Sequence, residues 1–374
     1  MTNVEIRAAS EPKEKRKFLT FPWKIYKDDP LWVPPVLSER AKAIDPEHSP
    51  FLQRGEAEFF IAWRDGQPVG TICAGEDPPT NERRDTRECV FGFMEFIEDY
   101  AVFEALLDCV TEWAQARGLN ALFGPFNLDY EDGYGVLIEG RDQRPAMMCG
   151  HTPEYYAGFM DRYGFQPARD QNVALWIDLD SPELERLSRV ADKVRKRGRC
   201  TVRTANFDDW DAEVDRVLHL LNTATLHLRD HIGWHRDALD AMLQPFKTMA
   251  DPDLILFADV DGKTVGFLPG LRDYNEVLIH VNGLRYPWNY IQLAWHLRVN
   301  PQAMTVKSAL VLPKYWNTGV TVLLADELAQ RAKAKGYQWA DLSITGAENP
   351  TSVMMAEHLG ARIYKRWQVY RKFL

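Results

Sequence analysis

Two stretches of this chain spell the same hairpin 196 residues apart. Residues 60–70 set an Asp65-Gly66 turn between two apolar runs, and residues 256–266 do the same around Asp261-Gly262. Asp-Gly accepts the positive φ angles of a tight two-residue turn, so each stretch reads as strand, turn, strand. A second match keeps the same spacing. Residues 155–165 and 351–361 each read as a short helix stopped by glycine, at Gly164 and Gly360, where a helix C-cap calls for a left-handed residue. A third pair, helices ending at Gly118 and Gly336, is displaced to a spacing of 218. The second half therefore carries extra residues before this helix, and the first half carries them after it. Duplication with different insertions accounts for that order.

Each half alternates strand, helices, hairpin, strand, helix, strand, helix, strand. In the second half these fall near 201–205, 211–229, 236–250, 254–268, 305–312, 320–335, 340–344, 351–359 and 361–373. The alternation predicts an α/β fold, with a mixed twisted sheet flanked by helices in each half. A charge-dense stretch at 181–199 reads as the joint, giving domains at 1–180 and 200–374. A length of 374 residues suits two such units.

Composition narrows the function. Lys and Arg number 45 against 54 Asp and Glu, a net charge of −9. A basic nucleic-acid footprint is therefore absent, and no nucleic-acid partner is expected. No apolar run is long enough to span a bilayer, and residues 1–17 are too charged for a secretory signal. The five cysteines are scattered with no CxxC pair. That pattern predicts neither a disulfide framework nor a metal site and suits the reducing cytoplasm. The aromatic count, with 12 Trp, 14 Tyr and 18 Phe, can fill two cores or line an apolar groove as well.

The helix predicted at 320–335 begins directly after a strand, through Lys314-Tyr315-Trp316-Asn317-Thr318-Gly319-Val320-Thr321. Free amides at such a junction are a seat for phosphate. Glu348-Asn349-Pro350 then opens the next helix, and a final strand at 363–373 follows. This succession resembles the GNAT family of acyl-CoA-dependent N-acyltransferases, best over residues 254–374. The family's pyrophosphate loop follows Q/R-x-x-G-x-G/A. Aligned on Gly319, this chain has Trp316 at the first position and Thr321 at the last. The resemblance implies that amides of Asn317, Thr318, Gly319 and Val320 receive the CoA diphosphate. It also implies that the strand through Leu310, Val311 and Leu312 runs along the donor, and that Asn349 matches the family's asparagine at the next helix. The family's tyrosine general acid has no counterpart among Ala356, Glu357 and His358. The first half resembles a degenerate copy. Its loop region, Glu98-Asp99-Tyr100-Ala101-Val102-Phe103, lacks glycine and carries two carboxylates that would repel a pyrophosphate. CoA is therefore expected in the second half.

The whole chain also resembles a bacterial group of large tandem-GNAT proteins. The landmarks are Phe21-Pro22-Trp23-Lys24-Ile25-Tyr26, Asp29-Pro30-Leu31-Trp32-Val33-Pro34-Pro35, Glu56-Ala57-Glu58-Phe59-Phe60, Phe91-Gly92-Phe93-Met94-Glu95, Gly124-Pro125-Phe126-Asn127 and Pro153-Glu154-Tyr155-Tyr156. Some members of that group are associated with bacterial ceramide formation. The resemblance implies transfer of an acyl group, long-chain in the ceramide-like form, from acyl-CoA to a primary amine by direct attack. Two alternatives stand beside it: a small-molecule N-acetyltransferase using acetyl-CoA, and a non-catalytic acyl-CoA or lipid-binding protein. In each, acyl-CoA comes and goes and no tightly bound cofactor is implied.

Several residues are candidates for the chemistry, each with a plainer alternative. His227, His231 and His235 recur every four residues near the expected acceptor side, and a histidine there can take a proton from an ammonium; ordinary structural histidines fit equally. Glu95 lies on the apolar strand 90–97, on the face of Phe91 and Phe93 if alternation holds. Burial there would raise its pKa and make it a base; a structural ion pair is the alternative. The acidic loop 127–135 could hold a cationic amine through Asp129, Glu131 or Asp132, with Tyr134 and Tyr155 as further substrate-binding candidates, or the loop is only a solvated turn. Lys193, Arg195, Lys196, Arg197 and Arg199 could meet anionic lipid heads or the CoA 3′-phosphate, or form a solvated helix face. Peripheral contact at the inner membrane surface belongs to the first of these. The insertion 275–303, with Trp288, Tyr290, Trp295 and His280, fits an apolar groove and core packing alike.

Overall fold

The computed structural model describes residues 4–128, 132–224, 226, 233–244, 246–347 and 350–374. Both Asp-Gly turns form as the sequence dictates, with φ of 50° and 73° at Asp65-Gly66 and 50° and 74° at Asp261-Gly262. They join β2 (Glu56–Arg64) to β3 (Gln67–Glu76), and β10 (Ile255–Val260) to β11 (Lys263–Arg272). Even the register repeats: Ala62 faces Gly70 in the first hairpin, and Ala258 faces Gly266 in the second.

The first sheet is built on β1 (Glu5–Ala8), β2, β3, β4 (Glu88–Phe96) and β5 (Ala121–Gly124), with β7 (Gln166–Pro167) at its far edge. The second is built on β9 (Thr201–Thr204), β10, β11, β12 (Ala303–Val306), β14 (Trp339–Gly346) and β15 (Arg362–Gln368), with β6 (Val136–Glu139) at its edge. The short β13 (Leu310–Val311) continues β12 along β11. In each sheet one parallel pair, β4 with β5 and β12 with β14, stands among antiparallel neighbours.

Three strands change sides. β6, from the first half, pairs with β15 at the edge of the second sheet, and two more strands insert within a sheet. β8 (Asn172–Asp178) leaves the first half and inserts between β14 and β15. β16 (Tyr370–Phe373) leaves the second half and inserts between β5 and β7. The final strand read at 363–373 is thus two strands parted at Val369, serving different sheets, and the sheets do not follow the linear division of the chain. The reciprocal exchange closes over a shared core in which Val90, Phe123, Phe126, Leu137, Ala174 and Trp367 meet.

The joint at 181–199 is helical over Pro182–Arg195. The Ser181 hydroxyl accepts from the Leu184 amide, and Leu184, Leu187 and Ala191 face the core. That helix lies on the helix Val320–Ala334. There the buried Asp326 carboxylate accepts from Ser188 at 2.6 Å and Arg195 at 2.5 Å.

Candidate active site

The parallel pairs part company at the same place. β4 pairs with β5 only through Glu88, Cys89 and Val90, and β12 with β14 only through Ala303, Met304 and Thr305. Each departing strand then takes in one extra residue against its other neighbour, between Gly92 and Glu95 in the first half and between Val306 and Leu310 in the second. The bulged residues, Phe93 and Ser308, are non-glycine positions at φ of 45° and 54°. A one-residue bulge redirects the strand and breaks its alternation. This is why Glu95 does not simply share the environment of Phe91 and Phe93, as alternation would have it.

In the first half the gap is bridged. Asn127 Oδ1 accepts from the Phe93 amide at 2.8 Å, and the Tyr156 hydroxyl accepts from the Phe96 amide at 3.1 Å. Gly92 lies so close to the Phe126 carbonyl that no Cβ fits there. In the second half β13 follows the bulge. β13 bonds β11 through Leu310 and Leu312, whose amide donates to Val265 O at 2.9 Å. Alternation of an antiparallel ladder then turns the intervening Val311 amide and carbonyl toward the gap. Trp316 Nε1 donates to that carbonyl at 2.8 Å, so the indole covers Val311 on the side of the parting.

Beyond it, Gly319 is the left-handed N-cap of the helix Val320–Ala334, at φ of 90°. Asn317 and Thr318 are exposed, Thr321 is half-buried and Val320 is buried. Gly319 packs on Val194 so tightly that a Cβ would come within 2.7 Å of it. The last turn of the helix Pro182–Arg195 therefore sits beside this helix N-terminus and brings the basic run with it. Arg195 is occupied by Asp326 and Asp192, but Lys193, Lys196, Arg197 and Arg199 are exposed.

A buried polar cluster floors the parting of β12 and β14, drawn from positions scattered along the chain and so invisible to local sequence patterns. Asp341 accepts from Thr305 at 3.0 Å, Ser343 at 2.5 Å and Tyr364 at 3.0 Å. Lys307 donates to the Ser343 hydroxyl at 2.8 Å and to Met147 O at 3.2 Å. Cys149 lies against Ser343, its thiol pushed up to about 12 by burial.

Glu95 forms a second cluster. Its Oε2 accepts from Tyr26 at 2.9 Å and Tyr156 at 2.8 Å. Desolvation raises its pKa from 4.5 to about 7, against the opposing pull of the two phenols and of Arg40. The residue nevertheless keeps some solvent-accessible surface: closely surrounded, yet reachable. Tyr26 stacks on Trp32 and leans on His151, whose Nε2 bonds Asp29 Oδ2 at 2.7 Å. Burial lowers the His151 pKa. Cys149 and His151, two residues apart, belong one to each cluster and so link them.

The expected residues fall out unevenly. Tyr155 joins the Glu95 cluster, donating to Phe96 O at 2.5 Å. Tyr134 is buried edge-on against Phe126 in the shared core, a position that fits packing rather than contact with an amine. His235 is an exposed N-cap residue of the helix Arg236–Leu243, and its side chain makes no capping bond. His227, His231, Asp129, Glu131 and Asn349 lie outside the described residues.

No family model matches the chain. It is 27% identical to the bacterial ceramide synthase of Caulobacter vibrioides, covering 100% of this chain and 99% of that one. It is 28% identical to protein YghO of Escherichia coli, covering 98% and 95%. Among solved structures it resembles a tandem GNAT protein from the clavulanic acid biosynthesis pathway, with a TM-score of 0.58 and 13% identity over 99% of this chain and 98% of that one. The chain is therefore a tandem GNAT protein in fold, related over its full length to these two bacterial proteins.

Proposed function

We propose that the protein is an N-acyltransferase with one donor site, in its second half, moving a long-chain acyl group from acyl-CoA to a primary amine. The observation that carries this reading is the asymmetry between two otherwise matching gaps. The first is bridged by Asn127 and Tyr156; at the second the Val311 amide is turned into the parting, and a helix N-terminus with exposed cations beside it follows in the chain. The Thr318 amide is taken by Tyr315 O at 3.2 Å; the other amides at this helix N-terminus suit the diphosphate, and Lys193, Lys196 and Arg197 suit the remaining phosphate charge. The Val311 amide points where a thioester oxygen would gather charge as the amine attacks. Glu95 is the base we assign: burial lifts it to about 7, and its carboxylate takes a proton from the acceptor's ammonium directly or through one water, so that the neutral amine attacks the thioester carbon and CoA leaves as the thiolate. The acceptor then lies between the Glu95 cluster and the gap, with Tyr155 at its edge. The five unpaired cysteines suit the cytoplasm as the place of reaction. The relative named as a ceramide synthase favours a lipid amine over a small one.

The donor assignment is checked by binding. Lys193→Glu/Lys196→Glu/Arg197→Glu is expected to weaken palmitoyl-CoA binding by about 10- to 100-fold, as loss of two or three phosphate contacts would, with thermal stability unchanged. Unaltered affinity would remove the donor from this helix. Thiol release separates the chain lengths: palmitoyl-CoA should be consumed faster than acetyl-CoA, and the reverse order would favour a small-molecule acetyltransferase. Trp316, bonded to the Val311 carbonyl, gives the binding-protein reading its one support; tight acyl-CoA binding with no thiol release would establish it.

A further inference from the structure

The segment between β11 and β12 buries Val277 and Val281 but turns the apolar side of its longest helix outward. Its helix Pro287–His296 turns Asn289 inward, buried to 2%, with Leu293 and His296 half-buried beside it. Outward stand Trp288 at 56% exposure, Ile291 at 74% and Trp295 at 68%, with Tyr290 and Val299 flanking them. Trp288, Ile291 and Trp295 are spaced i, i+3, i+7, so they share one face. An ordinary surface helix has the opposite polarity.

The helix is not loosely attached. Arg272 donates to the carbonyls of His296, Leu297 and Val299 at 3.3, 3.0 and 3.0 Å. His280 stacks on His296 at 4.3 Å. Trp23 of the first half donates to Asn282 at 2.6 Å. The outward tryptophans are thus a fixed feature of the fold.

Charge identifies what covers them. From residue 277 to residue 325 the chain contains no Asp or Glu, although such residues make up 54 of 374 overall. The same stretch carries Arg285, Arg298, Lys307 and Lys314. Aromatic side chains flanked by arginines, with no carboxylate among them, match the headgroup region of an anionic bilayer. A second copy of the chain would instead set the same cations against one another.

We propose that this helix face is a docking surface for an anionic lipid bilayer, with Trp288, Ile291 and Trp295 entering the headgroup region and Arg298 meeting lipid phosphate. The face lies on the segment that leads directly into β12. It would therefore hold the parting of β12 and β14 close to the membrane plane, whatever reaction occurs there.

The test is sedimentation of the full chain with vesicles of phosphatidylcholine, with and without phosphatidylglycerol. The wild type should sediment with the phosphatidylglycerol vesicles, its tryptophan emission shifting to the blue, and should be released by salt. Trp288→Glu/Ile291→Glu/Trp295→Glu should lower vesicle binding at least about tenfold, and Ile291→Glu alone should lower it less. Melting temperatures should match the wild type, since these side chains are exposed. The proposal is overturned if the wild type stays in solution with anionic vesicles, or if the triple variant binds them as well as the wild type. It is also overturned if light scattering shows a wild-type dimer that the triple variant splits.

Discussion

Glu95→Gln lowers kcat/KM by about 10²- to 10⁴-fold, the range for loss of a positioned general base, while making the protein more stable above pH 7. The two effects have one cause. Glu95 is lifted from 4.5 to about 7 by burial, so between those values the folded chain binds more protons than the unfolded chain. Stability then falls as pH rises through that window and stays lower beyond it. Holding the charge costs roughly 3 kcal/mol at most by that shift. Glutamine keeps the shape, and its carbonyl oxygen still accepts from Tyr26 and Tyr156. A gain of about 1–3 kcal/mol at pH 8 is expected, shrinking toward zero below pH 5. The wild-type rate should rise with pH through an apparent value near 7, and that limb should vanish in the variant. Denaturant melts at pH 5 and pH 8, with thiol-release rates across pH, measure both. A variant that loses stability at pH 8, or keeps the limb, would show that Glu95 is only structural.

The repeat made much of this molecule readable. Both Asp-Gly hairpins, the paired helices and the mixed sheets follow from local signals, because turn chemistry and helical period act over a few residues. Glu95 was legible for the same reason: a carboxylate in an aromatic strand is conspicuous. Its real partners were not. Tyr26, His151 and Asp29 come from distant stretches, and the bulge at Phe93 overrides the alternation that a strand predicts. The Asp341 cluster left no trace in sequence, since Thr305, Lys307, Ser343 and Tyr364 are ordinary residues until β12 and β14 part. Least legible was the exchange of β8 and β16. Residues 363–373 show one continuous strand pattern, and nothing local marks Val369 as the point where the chain leaves one sheet for the other.

That exchange makes the last five residues a structural element of the first half. A chain ending at Val369 is expected to lose about 4–8 kcal/mol, comparable with the whole stability of many domains. Without β16, the edges of β5 and β7 lose their common partner, and Tyr370, 3% exposed, leaves the first core. Arg371 Nε donates to Glu88 Oε1 at 2.5 Å. Removing that arginine strands a buried carboxylate, by itself worth about 3–5 kcal/mol. The reciprocal loss follows if the halves are made separately. Residues 1–180 would carry β8 with no sheet to enter and a gap where β16 belongs, while residues 181–374 would lack both β8 and β6. Neither half should melt cooperatively alone. Mixed during refolding, the two should recover as a 1:1 complex, because each supplies the strand the other lacks. Calorimetry of the separate and mixed halves decides it: cooperative melting of residues 1–180 alone would mean that the first sheet closes without the C-terminal strand, and that the shared core is not what holds the tandem together.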